Sequence, residues 1–269
     1  MKAPRFDYVK PRSLQAALRL LADAGDGARI IAGGQSLGPI LNFRLAQPQL
    51  LIDVRGIPEL REVRDEGAAV FFGAGTTHAE IEDGRLPDPA RGMLGHVARG
   101  IAYRAIRTRG TLGGSLAHAD PAADWVSVMP LLGAEIVVVG ANGERTIAAA
   151  SFVRGLLTTA LDRTEIVVGV RVPKCSPRAR WSYYKFNRKP GEFALAIAAL
   201  VHDPDRGQAR AVIGAIGAAP HVVAEASALA DRFDPAAADA AVAAAGLPAG
   251  SFERQIHLVA LRRAAAGWH

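Results

Sequence analysis

Two glycine-centred stretches carry residue types that can hold an anion. One runs Thr111-Leu112-Gly113-Gly114-Ser115-Leu116-Ala117-His118-Ala119-Asp120-Pro121-Ala122-Ala123-Asp124. A core strand would favour branched apolar residues here, and an exposed helix would avoid Gly-Gly. The glycine pair lets the backbone reach φ > 0 or approach a ligand without a Cβ in the way. Successive N–H groups in such a turn form a concave anion site. Pro121 suits the first turn of a helix over 121–125, whose N-terminus adds partial positive charge. On residue types alone, a phosphate cradle and an ordinary glycine-rich surface loop both stay open. The second stretch, Ile30-Ile31-Ala32-Gly33-Gly34-Gln35-Ser36-Leu37, is an apolar run entering another Gly-Gly and a polar pair. Two such loops suit a long two-phosphate ligand held between them, although chance can also place two pairs among 28 glycines.

Side chains that could move protons are few. His118 stands near Asp120 and Asp124, either as an acid–base set or as the lining of a ligand site. Lys185 follows Trp181, Tyr183 and Tyr184, whereas Arg188 reads more simply as part of a solvated face. There is no P-loop, no Gly-x-Ser-x-Gly elbow and no His-Glu-x-x-His. His78-Ala79-Glu80 imitates the start of a zinc deaminase signature but lacks the paired cysteines. Gly73-Ala74-Gly75 is no dinucleotide fingerprint, since His78 takes the third glycine position and no carboxylate follows about twenty residues on. A chain without its own catalytic engine fits a protein whose cofactor does the chemistry.

With 269 residues, half of them apolar, the chain can bury a substantial core and more than one domain. No run reaches the length of a transmembrane helix, and 1–7 lacks the apolar core of a secretory signal. The single Cys175 can form no internal disulfide and hold no cluster, which predicts a reduced, cytoplasmic setting. The net charge of +6 comes from scattered basic residues without a nucleic-acid motif, so no nucleic-acid partner is expected.

Pattern places these residues on elements. Ser13 caps a helix with Leu14, Ala17, Leu18 and Leu21 on one face, ended by Gly25 and Gly27. Strands are expected at 29–32 and 50–54, with a short helix at 37–45 between them. Residues 62–63 and 69–72 form a hairpin, and Thr77 with Glu80 makes a capping box. Helices follow over 87–99 and 125–132, then a hairpin over 135–139 and 145–147 turned at Asn142-Gly143, and a strand over 165–172. After a linker at Cys175-Ser176-Pro177-Arg178 come three antiparallel strands at 181–186, 193–201 and 209–216, then helices at 219–231, 235–245 and 252–266, an α+β pattern.

Taken in order, the motifs resemble the FAD-binding medium subunit of the molybdenum hydroxylases, the family of xanthine dehydrogenase and aerobic carbon monoxide dehydrogenase. Ala32-Gly33-Gly34-Gln35-Ser36-Leu37 is similar to the family's first flavin loop, and Thr111-Leu112-Gly113-Gly114-Ser115 through Asp120-Pro121 to its second. Thr158-Thr159-Ala160-Leu161 and the run from Tyr184-Lys185-Phe186 to Gly191-Glu192-Phe193-Ala194 match later segments. Gln35 and Ser115 stand where some members carry other polar residues, and 246–252 looks short.

The resemblance implies a two-subdomain FAD-binding fold of the PCMH type over 1–175, divided into about 1–56 and 57–175, then a C-terminal α+β domain over 176–269 with a three-stranded antiparallel sheet and helices. Non-covalent FAD would lie between the subdomains. Ile31, Ala32, Gly33, Gly34, Gln35, Ser36 and Leu37, with Thr111, Gly113, Gly114 and Ser115, would hold the pyrophosphate through backbone N–H groups and polar side chains. Ala117, Asp120 and Asp124 would line the ribityl and adenosine side; Leu161, Lys185 and Phe193 would lie by the isoalloxazine, Lys185 favouring its anionic reduced form. No residue is expected to be catalytic or to bind metal. The molybdenum cofactor and the [2Fe–2S] clusters would belong to a large and a small partner subunit, assembled as a dimer of heterotrimers that passes electrons to an external acceptor, in the cytoplasm or peripheral to the inner face of the membrane. The alternatives are a stand-alone FAD-dependent oxidase or dehydrogenase, and a non-enzymatic flavin- or nucleotide-binding assembly protein.

Overall fold

A computed structural model describes residues 1–269. The chain opens with β1 (Asp7–Val9), α1 (Leu14–Ala24), β2 (Ala28–Ile31), α2 (Leu37–Asn42) and β3 (Leu50–Asp53). The strands form a parallel sheet in the order β1-β3-β2. The Ser13 hydroxyl accepts the Ala16 N–H at the head of α1, and Gly25 ends it at φ +51°. Ala17 and Leu21 are the buried side chains of α1, and both join the main core.

The next unit contains β4 (Val63–Asp65), β5 (Ala69–Gly73), α3 (His78–Glu82), α4 (Met93–Arg99), α5 (Arg104–Arg107), α6 (Leu112–His118) and α7 (Asp124–Leu131). It continues through β6 (Glu135–Gly140), β7 (Gly143–Ala148), α8 (Ala149–Phe152), β8 (Val153–Gly155), β9 (Thr158–Thr159) and β10 (Ile166–Pro173). An antiparallel sheet runs β4-β5-β10-β6-β7. Its central strand β10 reads Ile-Val-Val-Gly-Val, as a strand covered on both faces must. The remainder comprises β11 (Arg180–Phe186), β12 (Ala196–Asp203), β13 (Gln208–Gly214) and β14 (His221–Val223), followed by α9 (Ser227–Ala230), α10 (Pro235–Ala244) and α11 (Phe252–Ala266). These strands form a second antiparallel sheet in chain order.

Every residue of α7 is buried, including Asp124 and Ser127. A helix apolar on all sides needs cover on all sides. One side of α7 packs on β12 and β13; α6 and α8 supply others. Gly214 permits the approach to β13, because a Cβ there would lie 2.0 Å from the Ser127 hydroxyl. Trp125, Met129 and Phe72 are among the largest fully enclosed side chains of the main core. A second, alanine-rich core fills the space between the last sheet and α9–α11.

The α+β class, the capping box at Thr77 and Glu80 and the turn at Gly143 (φ +92°) are as expected. Several elements differ. The final sheet has a fourth strand: Val222 and Val223 pair with β13 where a helix over 219–231 was expected, leaving only the short α9. The helix over 87–99 shrinks to α4, because both Asp88 carboxylate oxygens accept main-chain N–H groups, from Ala90 and Gly92, and hold a turn. Asp120 does likewise by accepting the Ala122 N–H at 2.9 Å, so α7 begins at Asp124 rather than Pro121. β12 starts at Ala196, which leaves Phe193 in an exposed loop.

At the end of β3, Asp53 is fully buried and accepts a fork from Arg55 (Nη2–Oδ2 2.7 Å, Nε–Oδ1 3.0 Å) and the Tyr8 hydroxyl from β1. Burial opposes its ionisation, but these donors prevail and hold the Asp53 carboxyl down at about 2. A carboxyl depressed in the folded state adds stability that is complete above its unfolded value near 4 and is lost as pH falls through about 2. Asp53→Asn is therefore expected to lose about 2–3 kcal/mol at pH 7, the scale of hydrogen bonds to a charged group. In urea denaturation the gap from the parent should close towards pH 2; an equal gap at both pH values would refute this.

Candidate functional site

Between the parallel sheet and the five-stranded unit lies a cleft of about 1640 Å³, larger than the ~300–1,000 Å³ typical of a small-ligand pocket. One wall is the segment joining β2 to α2. Gly34 turns it at φ +71°. No protein acceptor takes the main-chain N–H of Gly33, Gly34, Gln35, Ser36 or Leu37. These five residues line the cleft, and a run of unpartnered main-chain N–H groups suits an anion. Gln35 Nε2 donates to the Gly33 carbonyl at 2.8 Å, which leaves its own amide oxygen free, and Ser36 makes no cap bond.

The opposite wall corrects the expectation of a second glycine loop. Residues 112–118 form α6, capped by Thr111, whose hydroxyl accepts the Gly114 N–H at 3.1 Å. The Leu112 N–H donates to Thr76 O at 2.8 Å and the Gly113 N–H to Ala74 O at 2.9 Å. The main-chain N–H groups of Leu112 to Ser115 are thus already engaged, which leaves the Thr111 N–H and hydroxyl proton and the unbonded Ser115 hydroxyl for a ligand. Neither Gly113 nor Gly114 has positive φ. Glycine is needed by contact: a Cβ on Gly113 would lie 2.4 Å from Ala74 Cβ, and one on Gly114 2.7 Å from Thr111 Oγ1.

The walls touch through backbone. A Cβ on Gly33 would lie 2.1 Å from the Arg109 carbonyl oxygen and 2.9 Å from Gly110 Cα. The segment carrying Arg109 is itself anchored. Buried Arg107 grips Glu82 (Nε–Oε2 2.8 Å, Nη2–Oε1 2.9 Å) and donates to the carbonyls of Ile101 and Ala102. The antiparallel bridge between Thr77 and Thr111 joins the same segment to the head of α3.

All the residues expected to hold the flavin line this one cleft: 31–37 on one wall, Thr111, Gly113, Gly114, Ser115 and Ala117 on the other, and Asp120, Asp124, Leu161, Lys185 and Phe193 around them. At its base Lys185 Nζ lies 3.0 Å from both oxygens of Asp124, an ion pair almost wholly removed from solvent. The His118–Asp120–Asp124 acid–base set does not form. Asp120 bonds the Ala122 N–H, Asp124 bonds Lys185 and Tyr183, and neither bonds His118.

Sequence reasoning missed His78 and the rim. His78 Nδ1 accepts the Trp125 indole N–H at 3.0 Å, so Nε2 carries the proton. Burial, with the Arg107 charge second, pushes the imidazole down to about 4 and keeps it neutral at pH 7. Its ring edge sits 2.9 Å from where a Gly110 Cβ would be, which explains that glycine. Only the pairing of α3 with residues 110–112 reveals this, and no local motif signals it. At the rim, exposed Tyr103 packs beside Gly191, where a Cβ would come within 3.0 Å of its ring.

Comparison with known proteins places this geometry. The model of the FAD binding domain in molybdopterin dehydrogenase matches residues 4–175. The carbon monoxide dehydrogenase medium chain of Hydrogenophaga pseudoflava is 39% identical over 201 residues, covering 75% of this chain and 70% of that one. The caffeine dehydrogenase subunit beta of a Pseudomonas species is 36% identical over 224 residues, covering 82% and 76%. In the solved carbon monoxide dehydrogenase of H. pseudoflava lacking the Mo-pyranopterin moiety, a matching chain superposes with a TM-score of 0.89 at 32% identity, covering 99% of this chain and 98% of that one.

Gly33→Ala should force the walls apart. Overpacking of this kind costs about 1–3 kcal/mol. Displacing one or two charge-assisted hydrogen bonds to a bound flavin should lower affinity about a hundredfold or more. Gly38→Ala is the control: nothing lies within 4 Å of the added methyl, so a neutral or slightly stabilising change is expected. Thermal melts and FAD titrations of both variants check this, and equal affinities would show that the contact does not shape the site.

Proposed function

The chain belongs to the FAD-binding domain family of the molybdopterin dehydrogenases, and from that premise we propose that it is the electron-transfer subunit of a heteromeric molybdenum hydroxylase. Electrons would arrive from [2Fe–2S] clusters of a small subunit, drawn from substrate oxidised at the molybdenum cofactor of a large one, and would leave for an external acceptor. The observation that carries the reading is the run of five main-chain N–H groups at 33–37 without protein acceptors, in a cleft that Thr111 and Ser115 line from the other wall. That pairing fits a pyrophosphate in an extended ligand: open N–H groups on one side, free hydroxyl donors on the other. The proposed division is a flavin-binding part over 1–175 and a C-terminal part over 176–269 that supplies Lys185 and Phe193 to the same cleft.

Bound FAD supplies the capacity to take up electrons and release them singly or in pairs. This chain's residues bind and tune it. In this proposal Gly33 to Leu37 hold the phosphates, and the Thr111, Ser115 and Ser36 hydroxyls complete their coordination. Lys185 is the cation beside the ring system, with Asp124 already balancing much of its charge. Its effect on reduction is therefore that of an ion pair rather than of a free ammonium. Without a second carboxylate or imidazole bonded to it, His118 has nothing to orient it as a base, which weighs against a self-contained oxidase.

The full chain is expected to bind about one FAD with a visible flavin spectrum, and acid precipitation should release the flavin into the supernatant. Neither flavin segment contains a cysteine, and burial pushes the Cys175 thiol up to about 11, too high to attach a flavin. Flavin retained in the pellet would contradict this. The FAD-loaded chain without partners should not bleach anaerobically with carbon monoxide, purines, N-heterocycles or aldehydes; bleaching by one of them would favour the self-contained enzyme.

A further inference from the structure

Tyr183 does not line the cleft, yet its hydroxyl donates to Asp124 Oδ1 at 2.6 Å, the same oxygen that Lys185 Nζ reaches at 3.0 Å. Two donors therefore share one carboxylate oxygen, while Lys185 alone reaches Oδ2 at 3.0 Å. The arrangement follows from strand geometry. Tyr183 and Lys185 are two residues apart on β11, so both side chains leave the same face of the sheet, towards α7. Asp124 is the first residue of α7, where the helix N-terminus also favours a carboxylate. Lys185 completes its shell with the Gly100 carbonyl at 3.3 Å.

A buried ion pair is stable only when further hydrogen bonds satisfy its members. Tyr183 supplies that bond from the core side, and its phenol stays protonated because burial, and then the Asp124 charge, push it well above its ordinary range. We propose that Tyr183 is a positioning residue: by drawing Asp124 negative charge towards its hydroxyl, it leaves Lys185 more net positive towards the cleft and so raises the midpoint potential of the bound flavin. This rests on the reading that the isoalloxazine lies beside Lys185. The direction is fixed by Coulomb's law. Loss of the hydroxyl lets the carboxylate draw in Lys185 and neutralise more of its charge, so less of the ammonium's field reaches the ligand and added electrons are disfavoured. Loss of Lys185 disfavours them more, and loss of the carboxylate charge favours them.

The test measures two-electron midpoint potentials and FAD affinities of the FAD-loaded full chain. Tyr183→Phe should keep FAD affinity within a few-fold of the parent and lower the potential by about 30 mV, the two-electron equivalent of a tenfold change. Lys185→Met should lower it further, and Asp124→Asn should raise it. In the Lys185→Met background, Tyr183→Phe should have no additional effect, because the tyrosine acts through the lysine. If Tyr183→Phe fails to fold, fluorotyrosine at 183, a stronger donor, should raise the potential. An unchanged potential in Tyr183→Phe (or, where that variant fails to fold, with fluorotyrosine at 183), beside a lowered one in Lys185→Met, would reduce Tyr183 to a structural role and overturn the proposal. So would an equal drop in both backgrounds. An unchanged potential in Lys185→Met with FAD bound would overturn both the proposal and the placement of the isoalloxazine. Failure of the parent chain to bind FAD would instead defeat the flavin reading itself.

Discussion

The approach of Gly33 to the Arg109–Gly110 backbone sets the width of the cleft. At that point the main chain leaving β2 and the main chain between α5 and α6 meet with no side chain between them. Everything that holds Arg109 in place therefore also holds the site. The Arg107–Glu82 pair, the bridge from Thr77 to Thr111 and the Leu112 N–H bond to Thr76 fasten the segment before α6 to α3 and the turn ahead of it. On the other side, the first wall is placed by the short parallel sheet, where Tyr8 of β1 and Arg55 are both tied to Asp53 of the central strand. A close backbone approach is less forgiving than a side-chain contact, because neither partner can rotate away.

Legibility in the sequence followed the range of the interaction. Local chemistry was readable: the Ser13 cap, the capping box at Thr77 and Glu80, and the turn at Asn142-Gly143 depend on residues within a few positions of one another. The residues lining the cleft were also readable, because ordered motifs identify them without any need to know their conformation. Conformation itself was less so. Thr111 to Ser115 reads as a loop because Gly-Gly weakens a helix, yet α6 forms since Ala74 and Thr76 supply acceptors from another part of the chain. The fourth strand at Val222 was hidden by flanking alanines whose helical preference is overridden by pairing with β13. His78 was invisible as a site residue because its partners, Trp125 and Gly110, lie far along the chain.

Charge placement adds a second constraint. α7 is enclosed on every side, and its one ionisable residue, Asp124, sits at the end that opens on the cleft. The C-terminal strands cover α7 and at the same time deliver Tyr183 and Lys185 to that carboxylate. Packing of the last sheet against the main core and the electrostatics at the base of the cleft are thus one arrangement seen from two sides. A change that loosens β11 from α7 alters both.

The engagement of the α6 amides by Ala74, Thr76 and Thr111 has a consequence for binding. That wall is complete in itself, so a ligand neither organises it nor has to break it. The wall from Gly33 to Leu37 lacks acceptors of its own and gains them only when an anion is present. Binding therefore changes the hydrogen bonding of one side of the cleft and leaves the other as it was, so slowed amide exchange at those five residues, rather than across the whole fold, is the signature of an occupied site.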